Sequence, residues 1–176
     1  MRAAILTSMT VLVSLLSAVA LAEVPGVSGM PCVTDANTLV INGKRRTGRC
    51  EGGTPVRLFG MDAPDLAQTC HDAQEREWMC GRAAAANLLE MVKGRAVDCR
   101  GNSKDPQGRL VATCHVGETD VAREMVRQGW GLAHGRESHQ YQSDESDAHA
   151  AGRGIWGSRF EVPAEWRRKN APPARR

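Results

Sequence analysis

Six cysteines, at positions 32, 50, 70, 80, 99 and 114, constrain this chain more than any other feature of its sequence. An even set reads as three disulfides if the chain leaves the reducing cytosol. Each bridge needs two α-carbons held close, so the fold must bring six scattered positions into three near pairs. Spacing alone does not choose among the possible connectivities. Zinc is the rival use of such a set. No Cys-x-x-Cys pair occurs, and the only adjacent Cys-His pair is Cys70-His71, so the close ligand pairs favoured by structural zinc sites are lacking.

The N-terminus agrees with the oxidising reading. Met1-Arg2-Ala3-Ala4 precedes an uncharged apolar run to Leu21, and Ala20-Leu21-Ala22 gives a small-x-small pattern before Glu23. This is the pattern of a secretory signal peptide (residues 1–22) cut after Ala22, with a membrane anchor as the alternative. The expected location is periplasmic or secreted, with no membrane attachment after cleavage. The length of 176 residues leaves room for one domain with tails. Formal net charge is only +3, and Arg2 of the leader is part of it. So small a charge makes no global field toward polyanions, and any anion site must be built locally. Four Trp, two Phe and one Tyr leave no visible aromatic ladder on which bases could stack.

Residues 23–30, with Pro25, Gly26 and Gly29, read as a flexible lead-in to a domain spanning 31–168. Val33-Thr34 and Leu39-Val40-Ile41 are short β-type runs, and Asn42-Gly43 is a hairpin signal after the second. Residues 44–55 are polar and Gly-rich, a loop or irregular strand. Val56 to Met61 alternates as a half-buried strand does. From Gly81 to Lys93, apolar residues fall at helical spacing and Gly94 ends the run. Ala96–Cys99 and Leu110–Val116 read as strands joined by the turn Asp105-Pro106-Gln107-Gly108. Asp120 can cap a helix over Val121–Gln128, and a more polar helix fits Tyr141–Ala151. Trp156, Phe160 and Trp166 then pack the end. Residues 167–176 (RRKNAPPARR) read as basic and disordered, with the tail proper at 169–176. Five short strands with a helix between the third and fourth predict an α+β, mainly β, fold: a five-stranded OB-fold barrel, the oligonucleotide/oligosaccharide-binding type, with three helices.

Three clusters carry the chemistry: Asp35-Ala36-Asn37-Thr38, Arg57-Leu58-Phe59-Gly60-Met61-Asp62-Ala63-Pro64-Asp65, and Asp105-Pro106-Gln107-Gly108-Arg109. Asp62 and Asp65 flank a proline-fixed turn, where both carboxylates can face one side. Hard cations such as Ca²⁺ take oxygen ligands from carboxylates, amides and carbonyls, which Asp62, Asn37 and the backbone of Ala63 could supply. Two guanidinium forks, Arg57 and Arg109, can clamp the non-bridging oxygens of one phosphate. With a carboxylate such as Asp65 to take a proton from water, the set makes a hydrolytic phosphoryl-transfer site. His71, His115, His134, His139 and His149 show no ligand spacing and receive no role.

In this order the clusters resemble the three signatures of the thermonuclease (staphylococcal-nuclease-like) family: D-G-D-T, R-L-x-G-I-D-x-P-E and D-x-Y-G-R. The stretch His139–Trp156, with Tyr141, Glu145 and Gly154-Ile155-Trp156, is similar to the closing helix of that family. Gln68-Thr69-Cys70 and Trp78-Met79-Cys80-Gly81 resemble a cysteine-bearing exported subgroup. The resemblance implies a Ca²⁺-assisted phosphodiester hydrolase acting on DNA and RNA as a monomer. In it Arg57 and Arg109 stabilise the phosphoryl charge, Asp62 and Asn37 hold the metal and Asp65 activates water.

The departures bear on that expectation. The second aspartate of D-G-D-T, a calcium ligand in the family, is Asn37 here. The glutamate after the proline, the family's general base, is Asp65, one methylene shorter. The tyrosine of the third signature is Gln107. The phosphate clamp is retained while metal cage and base are weakened, so Ca²⁺ binding is expected to be weak and hydrolysis slow. The alternative is a non-hydrolytic module that binds nucleic acid or phosphate; a third reading is a partner-binding exported domain. For the cysteines, the strand layout places Cys99 opposite Cys114. Cys70 with Cys80 then closes the loop before the first helix, which leaves Cys32 with Cys50.

Overall fold

The structure is a computed structural model that describes residues 24–171. The leader read at residues 1–22 and the last five residues lie outside the described residues.

Thirteen strands and four α-helices follow one another among the described residues. The first six strands are β1 (Gly26–Gly29), β2 (Pro31–Asp35), β3 (Thr38–Ile41), β4 (Lys44–Arg46), β5 (Arg49–Glu51) and β6 (Thr54–Leu58). Short β7 (Met61–Asp62), β8 (Cys70–His71) and β9 (Glu77–Trp78) lead to helix α1 (Cys80–Val92). Then come β10 (Val97–Lys104), β11 (Leu110–Val116), β12 (Thr119–Asp120) and α2 (Val121–Arg127). β13 (Leu132–Ala133), α3 (Gln142–Ala150), a 3₁₀ turn (Gly154–Gly157) and α4 (Pro163–Asn170) complete the chain.

The main sheet runs β1-β10-β11-β6-β3-β2. β6 and β11 are parallel, while its other pairings are antiparallel. Only Met30 separates β1 from β2, yet these two sit at opposite ends of the sheet. They are one bent first strand that pairs with β3 on one side and β10 on the other, which brings the sheet round as an OB-fold barrel does. The lead-in expected at residues 23–30 is therefore corrected at residues 26–29, which are structural. Their glycines serve close approach. A Cβ on Gly26 would stand 2.6 Å from the Cys99 carbonyl oxygen, and one on Gly29 would stand 1.9 Å from Asn42 Oδ1. The same composition that marks loops marks close packing of backbone against neighbours.

Asn42-Gly43 turns the chain, with Asn42 at φ 61°, but it closes no hairpin. β3 is flanked by β2 and β6, and β4 pairs instead with β5 around Thr47-Gly48, where φ is 46° and 81°. The hydrophobic edges of β3 find better partners than the polar Lys44-Arg45-Arg46. Alternation holds where it was expected: Val56 and Leu58 are buried and Arg57 between them is half-buried and faces the other way. The core gathers Leu39, Ile41, Val56, Leu58 and Ala112 with Ala84, Leu88 and Val92 of α1 and Met125 of α2.

Disulfides join Cys32–Cys50, Cys70–Cys80 and Cys99–Cys114. Cys99 and Cys114 face each other across the β10–β11 ladder, as register demands. The Asp120 carboxylate caps α2 by accepting the Arg123 N–H at 3.1 Å, and its other oxygen accepts the hydroxyl of fully buried Tyr141 at 2.7 Å. One carboxylate thus ties α2 to the residue that opens α3. Burial, reinforced by the Asp120 charge, raises the Tyr141 pKa far above its ordinary value, so the phenol stays neutral.

A fourth helix was not expected. Pro163 sits at its first turn, Glu165 is in that turn, and Arg167, Arg168 and Lys169 are in the last, as the helix dipole favours. Residues 167–170, read from composition as part of a disordered stretch, are helical.

Helix α1 is anchored beside the loop that follows β7. The Gly81 N–H donates to the Gln68 carbonyl at 3.2 Å, and the Gln68 N–H donates to the Asp65 carbonyl at 2.8 Å. A Cβ on Gly81 would stand 1.7 Å from the Asp65 carbonyl oxygen, a contact that only backbone movement relieves. Gly81→Ala is expected to lower stability by about 1–3 kcal/mol, as overpacking does. Thermal unfolding should show a clear fall in midpoint; a midpoint equal to wild type would contradict the packing described.

Candidate functional site

A cleft of about 390 Å³ opens where the three sequence clusters meet, lined among others by Asp35, Asn37, Asp62, Asp65, Gln107 and Arg109. Two walls of opposite character form it.

The basic wall is made by neighbouring parallel strands. Register sets Arg57 of β6 against Val111 of β11 and against Thr38 of β3. Arg109 precedes β11, at the end of the Asp105 turn. Its Nε donates to Asp105 Oδ2 at 2.6 Å and its Nη1 to the Thr38 hydroxyl at 2.7 Å. Arg57 Nε lies 3.9 Å from that same Asp105 oxygen, so the two guanidinium groups converge. Asp105 also accepts the backbone N–H groups of Gln107 and Arg109 through Oδ1, both at 3.0 Å. Burial by itself would raise the Asp105 carboxyl, but the hydrogen bonds from Arg109 and the nearby charge hold it below its ordinary value. It remains a carboxylate and orients both arginines. Arg57 also donates through Nη2 to Glu137, and the second Glu137 oxygen accepts the Gly60 N–H at 2.9 Å.

The acidic wall carries Asp35, Asp62 and Asp65. Asp35 ends β2 and accepts the Asn37 N–H at 2.8 Å in a tight turn. Burial pushes its carboxyl above the usual value, against the opposing bond from Asn37. Asn37 reaches across to Ala63 twice, donating through Nδ2 to the carbonyl at 2.9 Å and accepting the N–H through Oδ1 at 2.8 Å. Asp62 and Asp65 are joined by one guanidinium. Arg167 of α4 donates through Nη2 to Asp62 Oδ2 at 2.8 Å and through Nη1 to Asp65 Oδ2 at 2.9 Å. Burial would lower the Arg167 pKa, but the two carboxylates outweigh it, and the group stays charged.

All six residues singled out in the sequence line or border one cleft, but they are not all free. Asn37 and Ala63, expected as oxygen ligands of one ion, are hydrogen-bonded to each other. One oxygen each of Asp62 and Asp65 is taken by Arg167. Ca²⁺ takes about six to eight oxygen ligands, and among the described residues no group of three or more His, Cys, Asp or Glu side chains is arranged to hold a metal ion. The donors as arranged do not fit the ion.

Four residues of the site escaped the sequence reading. Asp105 was visible only as a turn former. Glu137 and His134 lie in a connection with no motif, and His134, assigned no role, lines the cleft with its Nδ1 3.7 Å from Glu137 Oε1. Arg167 lay in a stretch dismissed for its composition.

Residues 55–158, more than half of the chain, match the family described as "Staphylococcal nuclease homologue". Among curated relatives, "Probable endonuclease LCL3" of Schizophyllum commune is 32% identical over 139 residues, which is 68% of this chain and 46% of that protein. An "Uncharacterized endonuclease" of Haemophilus influenzae is 28% identical over 117 residues, 65% of this chain and 60% of that one. "Probable staphylococcal-like nuclease CAN2" of Oryza sativa subsp. japonica is 26% identical over 116 residues, 64% of this chain and 29% of the rice protein. The chain therefore spans about half the length of the first two relatives, and less of the third. The matched segment contains β11 and all of β6 but Thr54, the two strands that set the arginine pair side by side, and with it this chain belongs to the staphylococcal nuclease homologue family.

Proposed function

We propose that this chain is a phosphodiester hydrolase of DNA and RNA, working as a monomer in an oxidising compartment outside the cytosol. The observation that carries the reading is the convergence of Arg57 and Arg109 on Asp105 at the rim of a cleft whose far wall holds Asp62 and Asp65. Phosphoryl transfer asks a protein chiefly for position and for charge placed at the phosphoryl oxygens. Two guanidinium forks drawn together beside one carboxylate, Asp105, offer both before substrate arrives. Family membership and the printed names of the relatives support the same chemistry. Three disulfides fit a location outside the reducing cytosol.

In this reading the substrate phosphate displaces Glu137 from Arg57 and sits between Arg57 and Arg109. Asp105 keeps the pair from splaying apart. Thr38, bonded to Arg109, fixes the third side. Asp65 takes the proton of the attacking water. Ca²⁺ is the cofactor the family implies, and Asn37, Asp62 and the Ala63 carbonyl are its proposed ligands. They would bind it weakly, because Asn37 brings no charge and must first leave Ala63. No step is assigned to the ion.

Removing either arginine should lower cleavage by roughly 10²-fold or more, the scale for a lost transition-state donor. Arg109→Lys should recover little, since a point charge cannot span two oxygens. The measurement is the initial rate on plasmid DNA and on single-stranded RNA, with thermal unfolding to check the fold. Rates equal to wild type in both Arg57→Ala and Arg109→Ala would remove the proposal.

A second reading, binding without hydrolysis, is favoured by one observation: the base and the metal ligands are occupied by protein partners. Asn37→Asp with Asp65→Glu separates the two. An aspartate at 37 cannot donate to the Ala63 carbonyl, so the exchange frees that oxygen and adds a charge. Cleavage with Ca²⁺ should rise in the double variant by more than the product of the single effects, because both groups serve one reaction. A double variant that binds oligonucleotide and cuts nothing would replace the hydrolase by the binding module.

A further inference from the structure

Arg167 belongs to no part of the clamp, yet it occupies the centre of the acidic wall. It comes from a helix 102 and 105 residues away in sequence from its two partners, and its fork spans both. The helix that delivers it is lightly held. α4 has eight residues, and Pro163 is the one buried among them. Short helices are marginal without packing. The segment ahead of it is anchored firmly, since the buried Gln68 side chain donates to the Glu161 carbonyl at 2.6 Å. Beyond that anchor, the ties that reach back into the cleft are the two bonds of Arg167. A fixed base, a loosely packed helix and one charged tip make a latch.

The charges of the cleft point the same way. Five carboxylates, Asp35, Asp62, Asp65, Asp105 and Glu137, face three guanidinium groups, those of Arg57, Arg109 and Arg167. A phosphodiester entering this surplus of negative charge is repelled unless more positive charge accompanies it. Exchanging the guanidinium for a divalent ion at Asp62, beside Asp65, adds one positive charge where it is needed and frees the Asp65 oxygen that Arg167 holds. Both candidates want the Asp62 carboxylate, so they exclude each other.

We infer that Arg167 is the resident cation of the Asp62–Asp65 pair, and that a divalent ion binds this site only by displacing Arg167 and loosening α4. The inference rests on the nuclease reading for the ion's purpose but not for its binding. It also explains why the donors, as arranged, do not fit the ion.

The test is calorimetric titration of Ca²⁺ into the full chain, in wild type, Arg167→Met, Arg167→Lys and Arg167→Met/Asp62→Asn, with thermal midpoints taken with and without Ca²⁺. Methionine keeps the stem and removes the cation. Arg167→Met is expected to bind Ca²⁺ about tenfold tighter or more and to gain a Ca²⁺-dependent rise in midpoint. Arg167→Lys should lie between, since lysine keeps charge but not the fork. Adding Asp62→Asn should erase the gain. A folded Arg167→Met whose Ca²⁺ affinity equals or falls below that of wild type overturns the latch, as does a gain that survives Asp62→Asn. Cleavage measured on the same samples separates the two ideas. Tighter Ca²⁺ binding without cleavage in any variant sustains the latch and defeats the nuclease reading. Cleavage by wild type with unchanged affinity in Arg167→Met does the reverse.

Discussion

The site depends on the parallel pairing of β6 with β11. Every other pairing in the main sheet is antiparallel. The parallel pair brings together segments whose sequences are separated by a helix and four further strands. Its register puts Val56 opposite Leu110 and Arg57 opposite Val111. Slip that pairing by one residue and Arg57 turns into the core while Val56 turns out. Inward-facing Val56, Leu58 and Ala112 prevent the slip, all three being buried. Packing on one face of the sheet thus fixes where two charges stand on the other.

The guanidinium groups of this cleft are each held in pairs with its more numerous carboxylates. Asp105 is nearly enclosed, its side chain 7% exposed, and would be a poor anion without partners. Arg109 and two backbone N–H groups keep it ionised, and in return it holds Arg109 in one orientation with Arg57 beside it. Glu137 plays a softer part at Arg57, since its own side chain is 21% exposed and water can take its place. The two carboxylates differ in how readily a phosphate can replace them. That difference gives one arginine a fixed posture and the other an open coordination.

Much of this was legible in the sequence, for reasons that can be named. Alternation around Arg57 announced both the strand and the direction of its side chain. Gly94 and Asp120 marked helix ends by chemistry that acts within one turn. The cysteine pairs followed once the strands were placed, because a ladder puts Cys99 across from Cys114. What failed did so at long range. Gly26 and Gly29 look like loop residues until β10 and Asn42 are seen against them. Arg167 looks like a tail residue until its partners, more than a hundred positions earlier, are seen beneath it. Asn37 reads as a ligand because its chemistry allows it; that its amide would close on Ala63 depends on a loop 26 residues away. Local pattern reports what a side chain is able to do, and tertiary contact decides which ability is used.

The bent first strand sets an order of events for the chain. β1 and β10 join Ser28 to Asp98 across 70 residues, so the closing contact of the barrel is among its most distant. Loop closure over that span comes after the local meander of β2, β3 and β6 has already gained its ladder bonds. A chain that emerges N-terminus first therefore carries its closing strand unpaired until the 70 residues that separate Ser28 from Asp98 have followed. During that interval the bare edges of β1 and β2 are open to any other strand that offers hydrogen bonds. The glycines of β1 and the charged hairpin of β4 and β5 beside β2 make those edges poor templates, which suits a domain whose last seam is also its first segment.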